Sequence, residues 1–299
     1  KSFINLRNLI KKEDINSEII TKSKLQNKKI ISQRNNKIGI IIENIDEISQ
    51  KDYLSLIEYR EKGLYCISLQ DWTEKYLERI ESNYLKEKFL ILNGFYFPNN
   101  SLQFRTKRLG DLIISIILLI ITFPIVLISG ILIHLEDRGP ILYSQLRTGF
   151  GGKDFRVYKL RSMKINAEKS GPEWSTKNDK RITKVGKFIR KFRFDELPQL
   201  ICVIKGDMSL IGPRPERPEF DEELQKINQN YKYRYFMRPG LSGWAQVKYP
   251  YGASTLDAMN KLSYDLYYIR NFSNLLDLVI LFKTIKLILG AKGSTAQEP

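Results

Sequence analysis

Histidine is nearly absent from this chain. Its 299 residues hold one, His134, so neither a Ser-His-Asp triad nor a His-rich zinc site is to be expected. Cysteine is almost as scarce. Cys66 and Cys202 lie far apart, build no disulfide framework and suit a reducing compartment. No G-x-G-x-x-G follows the first apolar strand, which leaves a dinucleotide site unsupported. Gly152-Lys153 is followed by Asp154, where a Walker loop needs Ser or Thr. No internal repeat, signal peptide or initiator Met is present, and the chain begins at Lys1 in mid-pattern, so it is expected to be part of something longer. Acid is in short supply: 33 Asp and Glu against 49 Lys and Arg give a formal charge of +16, which calls for an anionic partner.

Charge is also missing from one long stretch. Leu112 to Leu135 contains no Asp, Glu, Lys or Arg, and about 20 apolar residues can span a bilayer. Arg105, Lys107 and Arg108 precede it; Arg138, Arg147, Lys153 and Arg156 follow. Basic flanks stay on the cytoplasmic side, and a straight span cannot keep both there. Pro124 removes a helix hydrogen bond and clashes with the preceding turn. It is therefore expected to fold the run into a helix–break–helix that enters and leaves one leaflet, with Thr122 and Ser129 offering hydroxyls to the freed backbone. The alternative is an ordinary kinked span. Beside such a segment, lipid and phosphate partners are favoured over nucleic acid.

Before the anchor, Ile38–Glu43 and Leu64–Leu69 read as strands, and Asn44–Lys62 and Gln70–Ile80 as helices, with Gly63 ending the first helix. That alternation suggests part of a small parallel α/β, Rossmann-like module over residues 1–104. The anchor covers 105–138, and 139–299 form the remaining domain, giving an α+β fold class. In that domain Pro140–Ser144 and Phe155–Leu160 read as a hairpin closed by glycines. Val185, Phe188, Ile189 and Phe192 share a helical face, and Pro198 should bend or end that helix. Residues 213–218 and 238–243 read as Pro/Gly loops. Leu275, Leu278, Val279, Phe282, Ile285 and Leu289 form a C-terminal amphipathic stripe, with Lys283 and Lys286 beside it. The stripe suits either core packing or a membrane interface.

The sharpest local feature is Arg190-Lys-Phe-Arg-Phe-Asp-Glu-Leu-Pro-Gln199. Asp195 and Glu196 stand among cations that should keep them ionised, as a nucleophile at phosphorus or a magnesium ligand requires. Arg190 and Arg193 would hold phosphate oxygens. Taken alone, the motif also fits a helix surface with ordinary ion pairs. Arg214 lies between Pro213 and Pro215, whose fixed φ angles present its guanidinium at low ordering cost, and Glu216 extends the same charged loop. Arg238-Pro-Gly-Leu-Ser-Gly-Trp244 could hold a phosphate and a flat base, or bury its Trp under a loop.

Together these pieces resemble the bacterial sugar transferases, the monotopic polyprenyl-phosphate phosphoglycosyl transferases, over residues 105–290. The motifs are Lys107-Arg-Leu-Gly-Asp111, Tyr143-Ser-Gln-Leu-Arg147, Tyr158-Lys-Leu-Arg-Ser-Met163 and Asp195-Glu-Leu-Pro-Gln199, followed by Gly206-Asp-Met-Ser-Leu-Ile-Gly-Pro-Arg-Pro215, Arg238-Pro-Gly-Leu-Ser-Gly243 and Tyr267-Tyr-Ile-Arg-Asn271. The resemblance implies transfer of a sugar-1-phosphate, a hexose in the long forms, from a UDP-sugar to undecaprenyl or another polyprenyl phosphate. UMP would leave, in the first membrane step of exopolysaccharide or O-antigen synthesis. It makes Asp195 the nucleophile and Glu196 its partner in binding Mg²⁺ or handling protons. It places Arg147, Lys159, Arg161, Arg190, Arg193, Gln199, Arg214, Glu216 and Arg238 around substrate, and Pro124 at the membrane break. Phe123 stands where a Ser often precedes that proline. The location implied is the cytoplasmic face of the bacterial inner membrane; a homo-oligomer is left open. The competing class is a non-catalytic membrane protein that binds lipid phosphates.

Overall fold

The computed structural model describes residues 39–42, 48–85, 94–95, 101–167, 179–249 and 254–290. The expected polar lead-in over 1–36, the Pro98-Asn-Asn punctuation and the first residues of the expected Asn44 helix lie outside them. Two compact units divide at residues 72 and 73.

In the first unit β1 (Gly39–Ile42) runs parallel to β2 (Tyr65–Ser68), with Gly39 opposite Tyr65 and Ile42 opposite Ser68. Helix α1 (Gln50–Glu61) joins them. Ser49 starts it by accepting from the Asp52 N–H, and Gly63, at φ 86°, turns the chain out of it. Helix α2 (Leu69–Leu77) straddles the division between units.

The second unit begins its main body with α3 (Leu102–Asp137), a 36-residue helix about 54 Å long. The expected break does not appear: the helix runs unbroken through Pro124. A proline costs a helix interior about 3 kcal/mol, yet it deletes only one bond. The Thr122 hydroxyl adds another nearby by donating to the Leu118 carbonyl at 2.6 Å. At 100° per residue, the buried Asp111, Ser115, Ser129, Gly130 and Ile133 share one side of α3. Ile113, Ile117, Ile120, Ile121, Leu127, Ile128 and Leu132 cover the broad opposite side and stand exposed.

Both ends of α3 are fastened to the same unit. Near its start Lys107 donates to the Ile211 carbonyl at 2.9 Å and to Asp277 at 2.6 Å. Arg108 donates to the carbonyls of Val203 and Ile204 at 2.6 and 2.8 Å. Asp111, buried, accepts from Ser209 Oγ at 2.7 Å and from the Leu210 N–H at 3.1 Å. At the other end Glu136 accepts from the Lys184 N–H at 2.8 Å, Asp137 pairs with Arg161, and Ile133 packs with Leu160 and Ile189.

β3 (Leu142–Thr148) and β4 (Asp154–Leu160) form the expected antiparallel hairpin, longer than the pattern suggested. Gly151 and Gly152, at φ 65° and 76°, make its turn. Helix α4 (Lys184–Lys191) is capped by Thr183. It ends at Lys191, well before Pro198, which lies in the following 3₁₀ helix, Phe194–Gln199. Then come α5 (Leu200–Lys205) and β5 (Ser209–Ile211), which pairs in parallel with β6 (Gly240–Ser242) inside one of the segments expected as a loop. A side chain at Gly240 would meet the Gly212 nitrogen at 2.0 Å, so this pairing needs glycine. Helix α6 (Pro218–Ile227) and a 3₁₀ helix, Gln229–Phe236, lie between these strands; α7 (Trp244–Lys248), α8 (Thr255–Arg270) and α9 (Asn274–Leu289) follow. Leu200, Val203, Met208, Trp244, Tyr268 and Ile280 anchor the largest core. Helix α9 buries Ile280 there and turns its predicted stripe outward, with Leu275, Phe282 and Leu289 each more than two thirds exposed. Core packing is thus not what the stripe is for.

Candidate active site

Arg193 determines how the two carboxylates are presented. It sits in the left-handed region at φ 57°, which costs a residue with a Cβ about 1–2 kcal/mol. That turn reverses the chain after α4, and the 3₁₀ helix beyond it carries Asp195, Glu196 and Gln199 into buried positions. Gly186 lets α4 come close enough: a Cβ there would lie 2.0 Å from the Ser162 carbonyl oxygen.

Glu196 takes the cations. Its Oε2 accepts from Arg193 at 2.7 Å and its Oε1 from Arg214 at 2.5 Å, while Lys159 Nζ stands 3.4 Å from Oε1. Burial works to raise this carboxyl, but Arg193, Arg214 and Lys159 hold it well below the usual carboxylate range. Asp195 is treated in the opposite way. Burial first, and the Glu196 charge second, push it up to about 6 against the pull of Lys159, Arg190 and Arg193. The cationic surroundings expected to serve Asp195 therefore serve Glu196 more. Asp195 is still largely ionised at neutral pH, and its higher proton affinity makes it the stronger nucleophile of the two. Adjacent carboxyls with their pKa values driven apart can hold two roles in one site.

Strand β4 supplies Lys159, which burial pushes down to about 8 while Glu196 pulls it back up. Strand β3 supplies Arg147, which donates to the Pro215 carbonyl at 3.2 Å and stands 3.5 Å from Glu216. The Thr148 N–H donates to the Glu216 carbonyl at 3.0 Å, so the hairpin edge holds the Pro213–Arg217 loop in place. Arg190 reaches Asp195 through its charge. Gln199 is buried on the same 3₁₀ helix, and its Nε2 has no partner among the described residues.

Arg161 and Arg238 go elsewhere. Arg161 pairs with Asp137 at the end of α3 and fastens the anchor. Arg238 donates to the Gly206 carbonyl at 2.9 Å and lies over the Phe150 ring, and no contact from it to either carboxylate occurs among the described residues. Trp244 is buried, its indole N–H donating to the Glu78 carbonyl at 3.0 Å; it is a core residue under its loop and offers no open face for a base.

No group of three or more metal-binding side chains occurs among the described residues. Magnesium does not need one, since it is commonly held by one or two carboxylates and substrate phosphates. Both Glu196 oxygens are engaged by cations, whereas no hydrogen bond reaches the Asp195 carboxylate from the described residues. The donor set fits an ion carried in largely by substrate phosphates, which Asp195 would help to hold.

A family model of the bacterial sugar transferases matches residues 102–291. The chain belongs to that family. It is 44% identical over 216 residues to the UDP-N-acetylgalactosamine-undecaprenyl-phosphate N-acetylgalactosaminephosphotransferase of Aeromonas hydrophila, covering 72% of this chain and 50% of that protein. The UDP-glucose:undecaprenyl-phosphate glucose-1-phosphate transferase of Klebsiella pneumoniae is 39% identical over 211 residues, 68% of this chain and 45% of that one. The undecaprenyl-phosphate galactose phosphotransferase of Salmonella typhimurium is 38% identical over 203 residues, 63% and 41% respectively. The chain spans about half, or somewhat less, of the length of these curated relatives.

Sequence reasoning missed a buried layer behind the dyad. Arg234, on the 3₁₀ helix Gln229–Phe236, donates through Nη2 to the Arg214 carbonyl at 2.6 Å and through Nε to Asp265 at 3.0 Å; it also bonds the Tyr231 hydroxyl. Asp221 stands 3.8 Å away. Burial works against the Arg234 charge, but Tyr231, Asp265 and Asp221 hold its proton more tightly than usual. The available signal was the alternation Tyr231, Tyr233, Tyr235 around this arginine, which marks a segment with aromatic mass to bury.

Proposed function

We propose that this chain transfers a sugar-1-phosphate from a UDP-sugar to undecaprenyl phosphate, or a similar polyprenyl phosphate, at a membrane. The observation that carries the proposal is the division of labour in the dyad: Glu196 absorbs three cations, while Asp195 stands buried beside them with no hydrogen bond or ion pair among the described residues. An Asp195 oxygen attacks the sugar-bearing phosphorus, and the bond to the bridging oxygen breaks with its electron pair leaving on UMP. A phosphate oxygen of the lipid then attacks the same phosphorus, the aspartyl–phosphorus bond breaks, and the Asp195 carboxylate returns. Arg193, Arg214 and Lys159 stand where they can pass from Glu196 to phosphate oxygens as charge builds on them. Bound magnesium would neutralise donor phosphates and ease departure of UMP. The relatives' names divide between N-acetylgalactosamine, glucose and galactose, so the sugar is taken to be a hexose or N-acetylhexosamine.

The membrane reading is monotopic. A spanning α3 would put about 30 Å of hydrocarbon between its ends. Yet Lys107, Arg108 and Asp111 at one end and Glu136 and Asp137 at the other hold the same unit, and the exposed side between them is apolar. Such an anchor keeps both of its ends on the side where that unit sits, the cytoplasmic side by the basic flanks.

The test is UMP release from a panel of UDP-sugars with Mg²⁺ and no lipid acceptor. A burst stoichiometric with enzyme is expected, with a phosphosugar trapped on Asp195 and none in Asp195→Asn. Turnover with lipid but no burst without it would point to direct displacement. No UMP with any sugar, with or without lipid, would favour a lipid-phosphate-binding protein.

A further inference from the structure

Residues 74–85 lie ahead of the stretch that the family model matches, which begins at 102, yet they are built into the second unit. In the second half of α2, Glu74 accepts from Asn271 Nδ2 at 2.9 Å and pairs with Arg270 at 3.1 Å, tying that helix to the end of α8. Glu78 then takes up the left-handed region at φ 52°, a costly conformation for a residue with a Cβ. It is held there from two directions: its carbonyl receives the Trp244 indole N–H at 3.0 Å, and its carboxylate pairs with Lys248. Past this turn Ile80 is fully buried and Leu85 nearly so, and the two share one apolar cluster with Leu224, Tyr231, Leu262 and Leu266. Phe95 adds its ring to the same surface, 5.0 Å from that of Tyr233 between centroids. Together they form a strap over α8 and the 3₁₀ helix Gln229–Phe236.

The supports of Arg234 lean on this strap. Its own 3₁₀ helix starts at Asn228, whose Nδ2 donates to Ser82 Oγ at 2.7 Å, and Asn230 on the first turn donates to the Ser82 carbonyl at 2.8 Å. Tyr231, whose hydroxyl Arg234 bonds, belongs to the cluster of Ile80 and Leu85. Asp265, which accepts from Arg234 Nε at 3.0 Å, lies two residues past Ser263 on α8, and the Ser263 carbonyl accepts from the Ile80 N–H at 2.8 Å. Arg234 in turn holds the Arg214 carbonyl, and Arg214 reaches Glu196. Among the described residues Glu196 bonds only Lys159, Arg193 and Arg214, so the way from the strap to the dyad runs through this relay. Packed interiors pass on small displacements because they have few voids to absorb them, and a site of this kind has to be held within about 0.5 Å of its productive geometry.

We propose that the strap is a positioning element of the site: Ile80 and Ser82 hold the Tyr231–Arg234 layer, and through it the loop from which Arg214 addresses the dyad. Its effect on turnover rests on the transfer reading above; its hold on the loop does not. A strap that only filled the core would lower stability and leave the folded site as it is. What sets this one apart is where its hydrogen bonds go, onto the two elements that grip Arg234. Residues ahead of the family's matched stretch thereby become part of how this chain places Arg214.

The experiment is hydrogen–deuterium exchange on the full chain in phosphatidylglycerol nanodiscs, with Ser82→Ala and Ile80→Val as two mild cuts in the strap. Exchange should quicken about fivefold, the worth of one lost hydrogen bond, in the 3₁₀ helix Gln229–Phe236 and at the Thr148 amide. That amide reports the loop because it donates to the Glu216 carbonyl at 3.0 Å. Ile280→Val, a cut in the core under α9, should lower the melting midpoint without this pattern. On the same samples, kcat/KM for UMP release should fall about fivefold in Ser82→Ala. In an Arg214→Lys background the same cut should cost less than about twofold, since residues acting through one another are not additive. Unchanged exchange at Thr148 and in Gln229–Phe236 in both variants would overturn the proposal. An equal fall in kcat/KM with and without Arg214 would overturn it too, leaving a strap that only fills the core. Quickened exchange at Thr148 with no UMP from any UDP-sugar would remove the transfer reading and leave the strap's hold on the loop standing.

Discussion

Arg234 grips the backbone carbonyl of Arg214 at 2.6 Å, while Arg214 reaches Glu196 at 2.5 Å with its side chain. One buried arginine thus fixes the main chain from which a second arginine addresses the dyad. Asp265, Tyr231 and Asp221 pay for the burial of Arg234, and none of them touches Glu196 or Asp195 among the described residues.

Removing Arg234 should therefore act twice. Arg234→Met leaves Asp265 and Asp221 buried without their cation, and breaking a buried ion pair costs about 3–5 kcal/mol, so a clear fall in melting midpoint is expected. Asp265 is already raised to about 6 by burial, with Arg234 pulling it down. Without that pull it should take up a proton near neutrality, and the loss of stability should be smaller at pH 5.5 than at pH 8. Melting curves at the two pH values test this; an equal loss at both would mean that the aspartates are not the residues left stranded.

Arg214→Lys keeps the charge and loses the planar fork. Because Pro213 and Pro215 fix the backbone and Arg234 holds the carbonyl, the loop cannot shift to bring a shorter-reaching ammonium to Glu196 or to a phosphate. A fall in kcat/KM of about 10²-fold is expected, corresponding to the roughly 1.5–3 kcal/mol of a charge-assisted hydrogen bond. Near-normal turnover in the lysine variant would reduce Arg214 to a turn residue.

What the sequence made legible was local. The apolar run, the glycine-closed hairpin, the carboxylate pair and the apolar stripe of α9 each lie within a short stretch of chain, where periodicity or composition carries the signal, though not the side to which the stripe turns. Long-range choices stayed hidden. Arg161 is two residues from Lys159 and was grouped with it, but β4 ends at Leu160, and beyond it Arg161 turns to Asp137 while Lys159 points at Glu196. The β5–β6 pairing joins segments some thirty residues apart, one of which has the composition of a loop. The electrostatics of the dyad depend on which carboxylate the arginines reach, and the left-handed turn at Arg193 sets that; nothing in the run Arg190–Gln199 announces it.

The anchor's topology can be read from exposed positions. Arg105 and Lys153 both face solvent on the two flanks of α3. In sealed vesicles of a variant with Cys66 and Cys202 replaced, Cys at either position should react with an impermeant maleimide from the same side. Labelling from opposite sides would sink the monotopic reading. Pro124→Leu restores a helix bond and removes a penalty of about 3 kcal/mol. Because α3 already runs unbroken through Pro124 and both its ends hold the same unit, the variant should melt higher while Arg105→Cys and Lys153→Cys stay reactive from the same side.

The pH dependence of kcat/KM reports groups of the free enzyme, and two of them here lie within reach of ordinary buffers. Asp195 is raised to about 6 and must be ionised to attack, so activity should climb as pH rises through about 6. Lys159 is lowered to about 8 and must stay charged to hold phosphate, so activity should fall as pH passes about 8. Because Asp195 and Glu196 interact strongly, the acidic limb belongs to the pair, and Glu196→Gln should move it. That change removes a negative charge that raises Asp195 and frees Arg193 from its present partner, and both effects shift the acidic limb downward. It also removes the main charge that holds the proton on Lys159, so the alkaline limb should move downward too. Lys159→Arg should erase the alkaline limb while leaving the acidic one, since a guanidinium does not titrate there. A rate profile over pH 5 to 10 on the three proteins separates these cases. Limbs that ignore both substitutions would show that neither Asp195 nor Lys159 sets the rate.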